Sequence, residues 1–196
     1  MRRVEILVFD GVEVLDFAGP FEVLSLAAQL SGSSPWDVAL VGETAGVCTA
    51  VNGLRVLPNR VIGADGLPEV LIVPGGEGTR ALLPVSPVVD WLRHALAAAE
   101  VTLSVCSGAR LLAALGVLDG RPFTSHHDVI DEIAAQCRGA EPRRDRRFVD
   151  TGDIVTTAGI AAGIDGALHL VARLLGPAHA RRVAAYMAYP QGSPPE

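Results

Sequence analysis

The cysteine at position 106 is the residue of this sequence best placed for covalent chemistry. It follows an apolar, strand-like run, Val101–Val105, and precedes a helix-like run that starts at Ala109. A side chain at the start of a helix lies near unpaired N–H groups and the positive end of the helix dipole, which favour a thiolate. A strand-to-helix turn also presents a nucleophile well. The alternative is a buried cysteine that packs as a small hydrophobic residue.

A nucleophile of this kind needs nearby donors for the negative charge that develops on its substrate. Gly75 and Gly76 follow the apolar run Val70–Val73, and glycines leave backbone N–H groups unshielded. The backbone N–H of Ser107 is a third candidate donor. The alternative is that the Pro-Gly-Gly sequence only turns the chain.

Asp16 is the candidate proton carrier. It lies in the apolar stretch 14–20, which we interpret as a turn before a helix that begins at Pro20. A carboxylate among apolar residues needs hydrogen bonds, or its pKa rises. Asp16 could instead cap the following helix, but its spacing to Pro20 is too long for an ideal cap. We therefore favour a proton carrier that faces Cys106.

His126 and His127 are candidate pocket residues because they follow a short strand-like segment. A histidine near a thiol suggests a Cys–His pair, and His126 is the better placed of the two. The alternative is that both histidines only begin the next helix, with His127 facing solvent.

The remaining histidines and cysteines give no sign of a metal site. His94, His169 and His179 lie in helix-like stretches and are interpreted as structural. Cys48 and Cys137 have no CxxC partner, and no cluster has the spacing of zinc ligands. The sequence therefore predicts no metal ion and no cofactor.

Short apolar strands that alternate with helices must position these residues. This order predicts an α/β fold, with a mostly parallel sheet between two helix layers. Ligand sites in such sheets lie at the carboxyl ends of the strands, here after residues 9, 73 and 105. The predicted strands are 4–9, 36–41, 70–73 and 101–105; the helices are 88–99, 109–115, 128–137, 164–175 and 178–188; the hairpins are 47–57 and 147–156.

Composition limits the classes of function. The chain has 196 residues, of which 49% are hydrophobic and 19% charged, with three cysteines, so disorder and a disulfide scaffold are excluded. No lysine is present, which excludes Schiff-base chemistry and a P-loop lysine. No apolar run has membrane-spanning length, and no signal peptide is recognised, so we expect a cytoplasmic protein without membrane contact. We expect one domain, residues 1–189, and a polar tail, 190–196.

Charge argues against nucleic acid as a partner. Sixteen basic and 22 acidic residues give a net charge of −6. A local basic cluster is interpreted as a solvated loop beside a hairpin, because no aromatic residues are interleaved with it. The cluster consists of Arg138, Arg143, Arg144, Arg146 and Arg147.

Four segments, in this order and spacing, resemble the DJ-1/PfpI superfamily: residues 14–20, 73–76, 104–108 and 159–165. The resemblance covers nearly the whole chain. It implies a flavodoxin-like sandwich, a homodimer, a cysteine nucleophile at Cys106 and an acidic partner at Asp16. The pattern is most similar to isonitrile hydratases and to the amidotransferase-like domain of AraC-type regulators.

The hydratase resemblance implies that Cys106 attacks a small electrophile, giving a thioimidate that water resolves. The family's peptidases have His directly after the cysteine, where this chain has Ser107, and its deglycases have Glu at the position of Asp16. Both differences favour a hydratase. Ser107 and His127 replace a Thr and a Trp of the hydratase pattern. The alternatives are a ligand-sensing domain related to AraC-type regulators, or a redox or glyoxalase protein similar to DJ-1.

Overall fold

Strands and helices alternate along most of the chain. The structure, a computed structural model, describes residues 2–32 and 36–190. The strands are β1 Arg2–Leu7, β2 Trp36–Gly42, β3 Cys48–Thr49, β4 Arg55–Val56, β5 Arg60–Val61, β6 Val70–Val73, β7 Val101–Val105, β8 Pro122–Phe123, β9 Glu141–Pro142, β10 Phe148–Asp150 and β11 Ile154–Thr157. The helices are α1 Val14–Leu30, α2 Gly78–Ala81, α3 Pro87–Ala98, α4 Ala109–Ala114, α5 Ile130–Gln136, α6 Ala162–Leu175 and α7 Pro177–Tyr186.

One seven-stranded sheet organises the molecule, in the order β10-β11-β7-β6-β1-β2-β5. Every neighbouring pair is parallel except β10 with β11. The register pairs Ile6 with Ile72, and Val73 with Ser104. The strands β1, β6, β7 and β11 therefore lie side by side, and their carboxyl ends reach the same edge of the sheet.

Burial explains the apolar composition of the central strands. All residues of β6 and β7 are buried, as a parallel sheet covered on both faces requires. Helices α1, α6 and α7 pack against one another in one layer of the sandwich. The prediction of a flavodoxin-like, three-layer sandwich with a mostly parallel sheet is confirmed.

Most predicted elements are present within a few residues of their predicted ends. The hairpin predicted at 47–57 pairs Cys48 with Val56 and Thr49 with Arg55. The second hairpin is the antiparallel pair β10 and β11. The predicted strand 70–73 matches β6, and the predicted strand 101–105 matches β7.

The predicted start of the first helix is wrong. Helix α1 begins at Val14, and Pro20 lies inside it rather than at its first position. The helix starts earlier because Glu13 caps it: the Glu13 carboxylate accepts the Val14 N–H at 3.2 Å. The Glu13 N–H also donates to the Gly75 carbonyl at 3.0 Å, which fixes the cap to the end of β6. Asp16 is thus part of the first helical turn.

Two further expectations from the sequence concern membrane-spanning helices and the C-terminal tail. Among the described residues, no helix is long and apolar enough to cross a membrane. Of the predicted polar tail, residues 191–196 lie outside the described residues.

Gly108 allows the turn after β7 to approach the end of β6. A Cβ atom at this position would lie 2.1 Å from the Val73 carbonyl oxygen, a backbone atom held in the sheet. We expect Gly108→Ala to lower the free energy of unfolding by about 1–3 kcal/mol, because the two segments must separate. Denaturant unfolding measures this difference.

Gly46→Ala is the matched control for that experiment. Gly46 lies in an exposed loop, and a Cβ atom there would be close only to the rotatable hydroxyl of Thr44, at 3.2 Å. Its unfolding free energy should stay within about 0.5 kcal/mol of the parent protein. Equal stability of the two variants would contradict the close approach at Gly108.

Candidate active site

The carboxyl ends of four adjacent strands bring the candidate residues together. Cys106 directly follows β7, and Gly75 follows β6. The loop after β1 leads into helix α1, which carries Asp16, and the loop after β11 contains Ile160. The site therefore lies where the ligand-site rule for parallel sheets places it.

Cys106 forms a strained strand-to-helix turn. Its φ angle is +56°, in the left-handed region that a residue with a Cβ atom rarely adopts. Backbone contacts hold it there: its N–H donates to the Ala158 carbonyl at 3.2 Å, and the Ser125 hydroxyl donates to its carbonyl at 2.7 Å. The backbone N–H groups of Ser107 and Ile160 both donate to its sulfur.

Asp16 is fully buried and lies beside the Cys106 thiol, so that each group affects the pKa of the other. Its Oδ2 accepts the Gly75 N–H at 3.0 Å, while Oδ1 accepts no N–H or O–H from the described residues. Burial raises the pKa of Asp16 to about 7, although the hydrogen bond from Gly75 acts in the opposite direction. The helix cap is Glu13, so the structure does not use Asp16 as a cap.

In the resting site, Cys106 is a protonated thiol rather than a thiolate. Burial, followed by the negative charge of Asp16, raises the pKa of Cys106 to about 12. The hydrogen bonds from Ser107 and Ile160 lower it, but they do not outweigh the other two effects. The N–H group of Ser107, at the start of the helix, thus favours the thiolate, but burial and the charge of Asp16 outweigh it in the resting site. The pair carries a single negative charge at most near neutral pH, and a base must accept the thiol proton when sulfur attacks.

The three predicted backbone donors lie at the site but have different partners. The Gly75 N–H is engaged with Asp16, and the Gly76 N–H donates to the Ser107 hydroxyl at 2.9 Å. The Ser107 N–H faces the sulfur, together with that of Ile160. Gly75 must lack a side chain, because a Cβ atom there would lie 2.6 Å from Ser107 and 2.9 Å from Asp16.

A buried arginine supports the turn at Gly75 and Gly76 through a chain of hydrogen bonds. Arg110, 4% exposed, donates to the Thr79 hydroxyl at 2.6 Å, and that hydroxyl donates to the Gly76 carbonyl at 2.8 Å. The arginine Nε also pairs with Glu132 at 3.1 Å. This chain of contacts joins helix α5 to the turn that holds Asp16.

The two histidines occupy different environments. His126 is mostly buried against Gly159, where a Cβ atom would meet the ring carbon Cδ2 at 2.1 Å. The side chain of His127 is 83% exposed. The interactions that shift the pKa of Cys106 come from Asp16, Ser107 and Ile160, and His126 is not among them. The described residues therefore show no Cys–His pair.

Comparison with known proteins identifies the family of this chain. The profile of the DJ-1/PfpI family matches residues 2–173. The chain belongs to the DJ-1/PfpI family. It is 32% identical to the isonitrile hydratase of Pseudomonas putida over 195 residues, which are 98% of this chain and 80% of that protein.

Other relatives of this DJ-1/PfpI family protein differ in length. The HTH-type transcriptional regulator CdhR of Pseudomonas aeruginosa is 32% identical over 180 residues, 87% of this chain but only half of the regulator. The crystal structure of a ThiJ/PfpI family protein from Pseudomonas syringae superposes with a TM-score of 0.86 at 29% identity. The superposition covers all of this chain and 77% of the other.

Sequence reasoning missed three contributors to the site of this DJ-1/PfpI family protein. The Ile160 N–H could have been found, because residues 158–160 follow a predicted strand and obey the same strand-end rule. Ser125 and Arg110 gave no signal, since a serine before histidines and an arginine in a helix are common on surfaces. Their roles depend on which loops pack together.

The basic cluster forms ion pairs on the surface. Its five arginines pair with five different acidic residues, which supports the interpretation of a solvated loop. The pairs are Arg138 with Asp119, Arg143 with Glu141, Arg144 with Asp131, Arg146 with Asp145 and Arg147 with Asp165.

Burial of Asp16 makes stability depend on pH. The folded protein holds the Asp16 proton up to about pH 7, whereas the unfolded chain releases it near pH 3.8, so unfolding releases a proton between these values. Asp16 therefore lowers stability progressively as the pH rises through this window, by up to about 4 kcal/mol. In Asp16→Asn this contribution is absent.

Denaturant unfolding of both proteins at several pH values between about 4 and 8 isolates the effect, because every other titrating group is common to them. Relative to the parent, Asp16→Asn should gain stability steadily as the pH rises. Parallel stability profiles would show that the Asp16 pKa is not raised.

Because Arg110 also hydrogen-bonds to Thr79, we expect it to contribute more to stability than Arg80, although both arginines pair with Glu132. Arg110 is buried and serves two partners, whereas the Arg80 side chain is 58% exposed. Arg110→Met should destabilise by about 1–3 kcal/mol, the range for hydrogen bonds to a charged group. Arg80→Met should change stability by less than about 1 kcal/mol. Thermal and denaturant unfolding measure both variants, and similar losses of stability in Arg110→Met and Arg80→Met would contradict this role of Arg110.

Proposed function

We propose that this protein is a cysteine-dependent hydratase that adds water to a small isonitrile and releases an N-substituted formamide. The observation that carries the proposal is the placement of the buried carboxyl of Asp16 beside Cys106, close enough for each to affect the pKa of the other. The similarity to an isonitrile hydratase along 98% of the chain supports the substrate class.

The first step forms the bond between Cys106 sulfur and the isonitrile carbon. Asp16, ionised above about pH 7, accepts the thiol proton as sulfur attacks and then donates it to the same carbon. The product is a thioimidate, S–CH=N–R, with no change in oxidation state. The N–H groups of Ser107 and Ile160 stabilise the negative charge that forms on sulfur.

Water completes the reaction. The oxygen of a water molecule bonds to the thioimidate carbon while Asp16 accepts a proton from that water. Asp16 then passes the proton to the imidate nitrogen. The C–S bond then breaks as the formyl C=O bond forms, and the hydroxyl proton returns to sulfur through Asp16. The sum is R–NC plus H₂O giving R–NH–CHO, and the pair is restored.

A second function is favoured by the regulator relatives. This chain spans half the length of CdhR, at the same identity as it shows to the hydratase. The same site could then bind a small molecule as a sensor without turning it over. In either role we propose a homodimer, as the family resemblance implies, and no contact with nucleic acid through this chain.

Substitution of the nucleophile separates catalysis from sensing. Cys106→Ala should abolish formamide production from a panel of alkyl and aryl isonitriles, measured by chromatography. Cys48→Ala, a change on the β3–β4 hairpin, should leave turnover unchanged. If the parent protein binds an isonitrile reversibly but forms no formamide, the hydratase is rejected and the sensor is retained.

Asp16 sets the pH dependence of turnover. Because the base must be ionised, kcat/KM should rise with pH and level off above about pH 7. Asp16→Asn should lower kcat by about 10²–10⁴-fold, the usual contribution of a positioned acid–base group. A rate that falls as pH rises through about 7 would mean that the protonated carboxyl is the active form.

A further inference from the structure

A second group of chemically capable side chains follows Ser125, which contacts the strand-to-helix turn at Cys106; it consists of His126, His127 and Asp128. Each offers one ligand atom, and the three atoms lie within 4.8 Å of one another. The side chains of His127 and Asp128 are 83% and 73% exposed, so an ion can reach them from solvent. The proposed hydratase reaction uses none of the three as a reacting group.

The distances suit a tetrahedral ion. His126 Nδ1 lies 3.6 Å from Asp128 Oδ2, and His127 Nε2 lies 3.2 Å from Asp128 Oδ1. Ligands about 2.0–2.2 Å from zinc at tetrahedral angles are separated by about 3.3–3.6 Å. Each imidazole nitrogen thus lies at nearly a ligand-to-ligand distance from one oxygen of the carboxylate, Oδ2 for His126 and Oδ1 for His127, and small side-chain rotations would bring the three side chains around one ion.

The tautomer of His126 fits a ligand role. Its Nδ1 accepts the Asp128 N–H at 3.3 Å, so this nitrogen carries a lone pair rather than a proton. The long hydrogen bond is weak and easily replaced by a metal. The ring is held in place by its contact with Gly159, which reduces the entropy lost on binding.

The backbone also orients the group. The N–H groups of Val129 and Ile130 both donate to the His126 carbonyl at 3.0 Å, which turns the chain so that adjacent side chains converge. The two imidazole rings lie with centroids 4.1 Å apart. A tight turn thus gathers three consecutive residues at one point of the surface.

We propose that His126, His127 and Asp128 form a binding site for one divalent transition-metal ion. Two imidazoles and one carboxylate suit zinc, nickel or copper, and leave at least one coordination position for water or another ligand. The adjacent residue, Ser125, donates its hydroxyl to the Cys106 carbonyl. The metal therefore binds a segment that supports the nucleophile, and its binding does not depend on the proposed reaction.

Calorimetric titration with zinc at neutral pH tests the site. Cys106→Ala serves as the parent protein, so that this thiol cannot bind the metal. One zinc ion should bind per chain, and His127→Gln and Asp128→Asn should each weaken binding about tenfold or more. Both side chains are exposed, so neither change threatens the fold. His94→Gln, in an exposed position of α3, is the matched control and should bind as the parent does.

Cobalt(II) gives a second readout on the same proteins. Nitrogen and oxygen ligands give visible ligand-field bands without the intense near-ultraviolet absorption of a cobalt–thiolate bond. Absence of zinc binding would overturn the proposal. Equal affinity in the parent, His127→Gln and Asp128→Asn, or a thiolate band with cobalt, would also overturn it by assigning the metal to other residues.

Discussion

A carboxyl and a thiol that lie side by side, both largely removed from water, constrain the rest of the site. Burial raises the pKa of Asp16 to about 7 and that of Cys106 to about 12, and the charge of one opposes ionisation of the other. Two negative charges so close together, away from water, would repel each other strongly, so ionisation of both groups is unfavourable. The pair therefore holds one proton over a wide pH range, and this proton can be transferred during chemistry.

The surrounding backbone supports this pair at specific atoms. Gly75 donates its N–H to the carboxyl, while Ser107 and Ile160 donate theirs to the sulfur. These donors come from the ends of three adjacent parallel strands, so the sheet fixes their spacing. Arg110 adds a contact from the opposite side, through Thr79, to the carbonyl of the glycine turn. Stability and reactivity therefore depend on the same few loops.

The central strands and the placement of Cys106 and Gly75 could be predicted from the sequence. Apolar runs that end at glycine turns predicted the central strands, and the strand-end rule placed Cys106 and Gly75 at one edge of the sheet. The sequence did not predict that Asp16 belongs to the first turn of α1, because Pro20 suggested a later start and the Glu13 cap depends on a contact with Gly75. Nor could it predict the thiol pKa, since desolvation depends on packing that a linear pattern does not contain.

The influence of Asp16 on the thiol is tested most directly by the pH dependence of Cys106 alkylation, followed by mass spectrometry of the Cys106 peptide in the parent protein and in Asp16→Asn. If Asp16 raises the thiol pKa, the parent rate should still be rising well above pH 9, the ordinary value for a thiol. In Asp16→Asn the curve should shift to lower pH, because the neighbouring negative charge is gone. A parent thiol that is fully ionised at neutral pH, or identical curves for the two proteins, would contradict the shared proton.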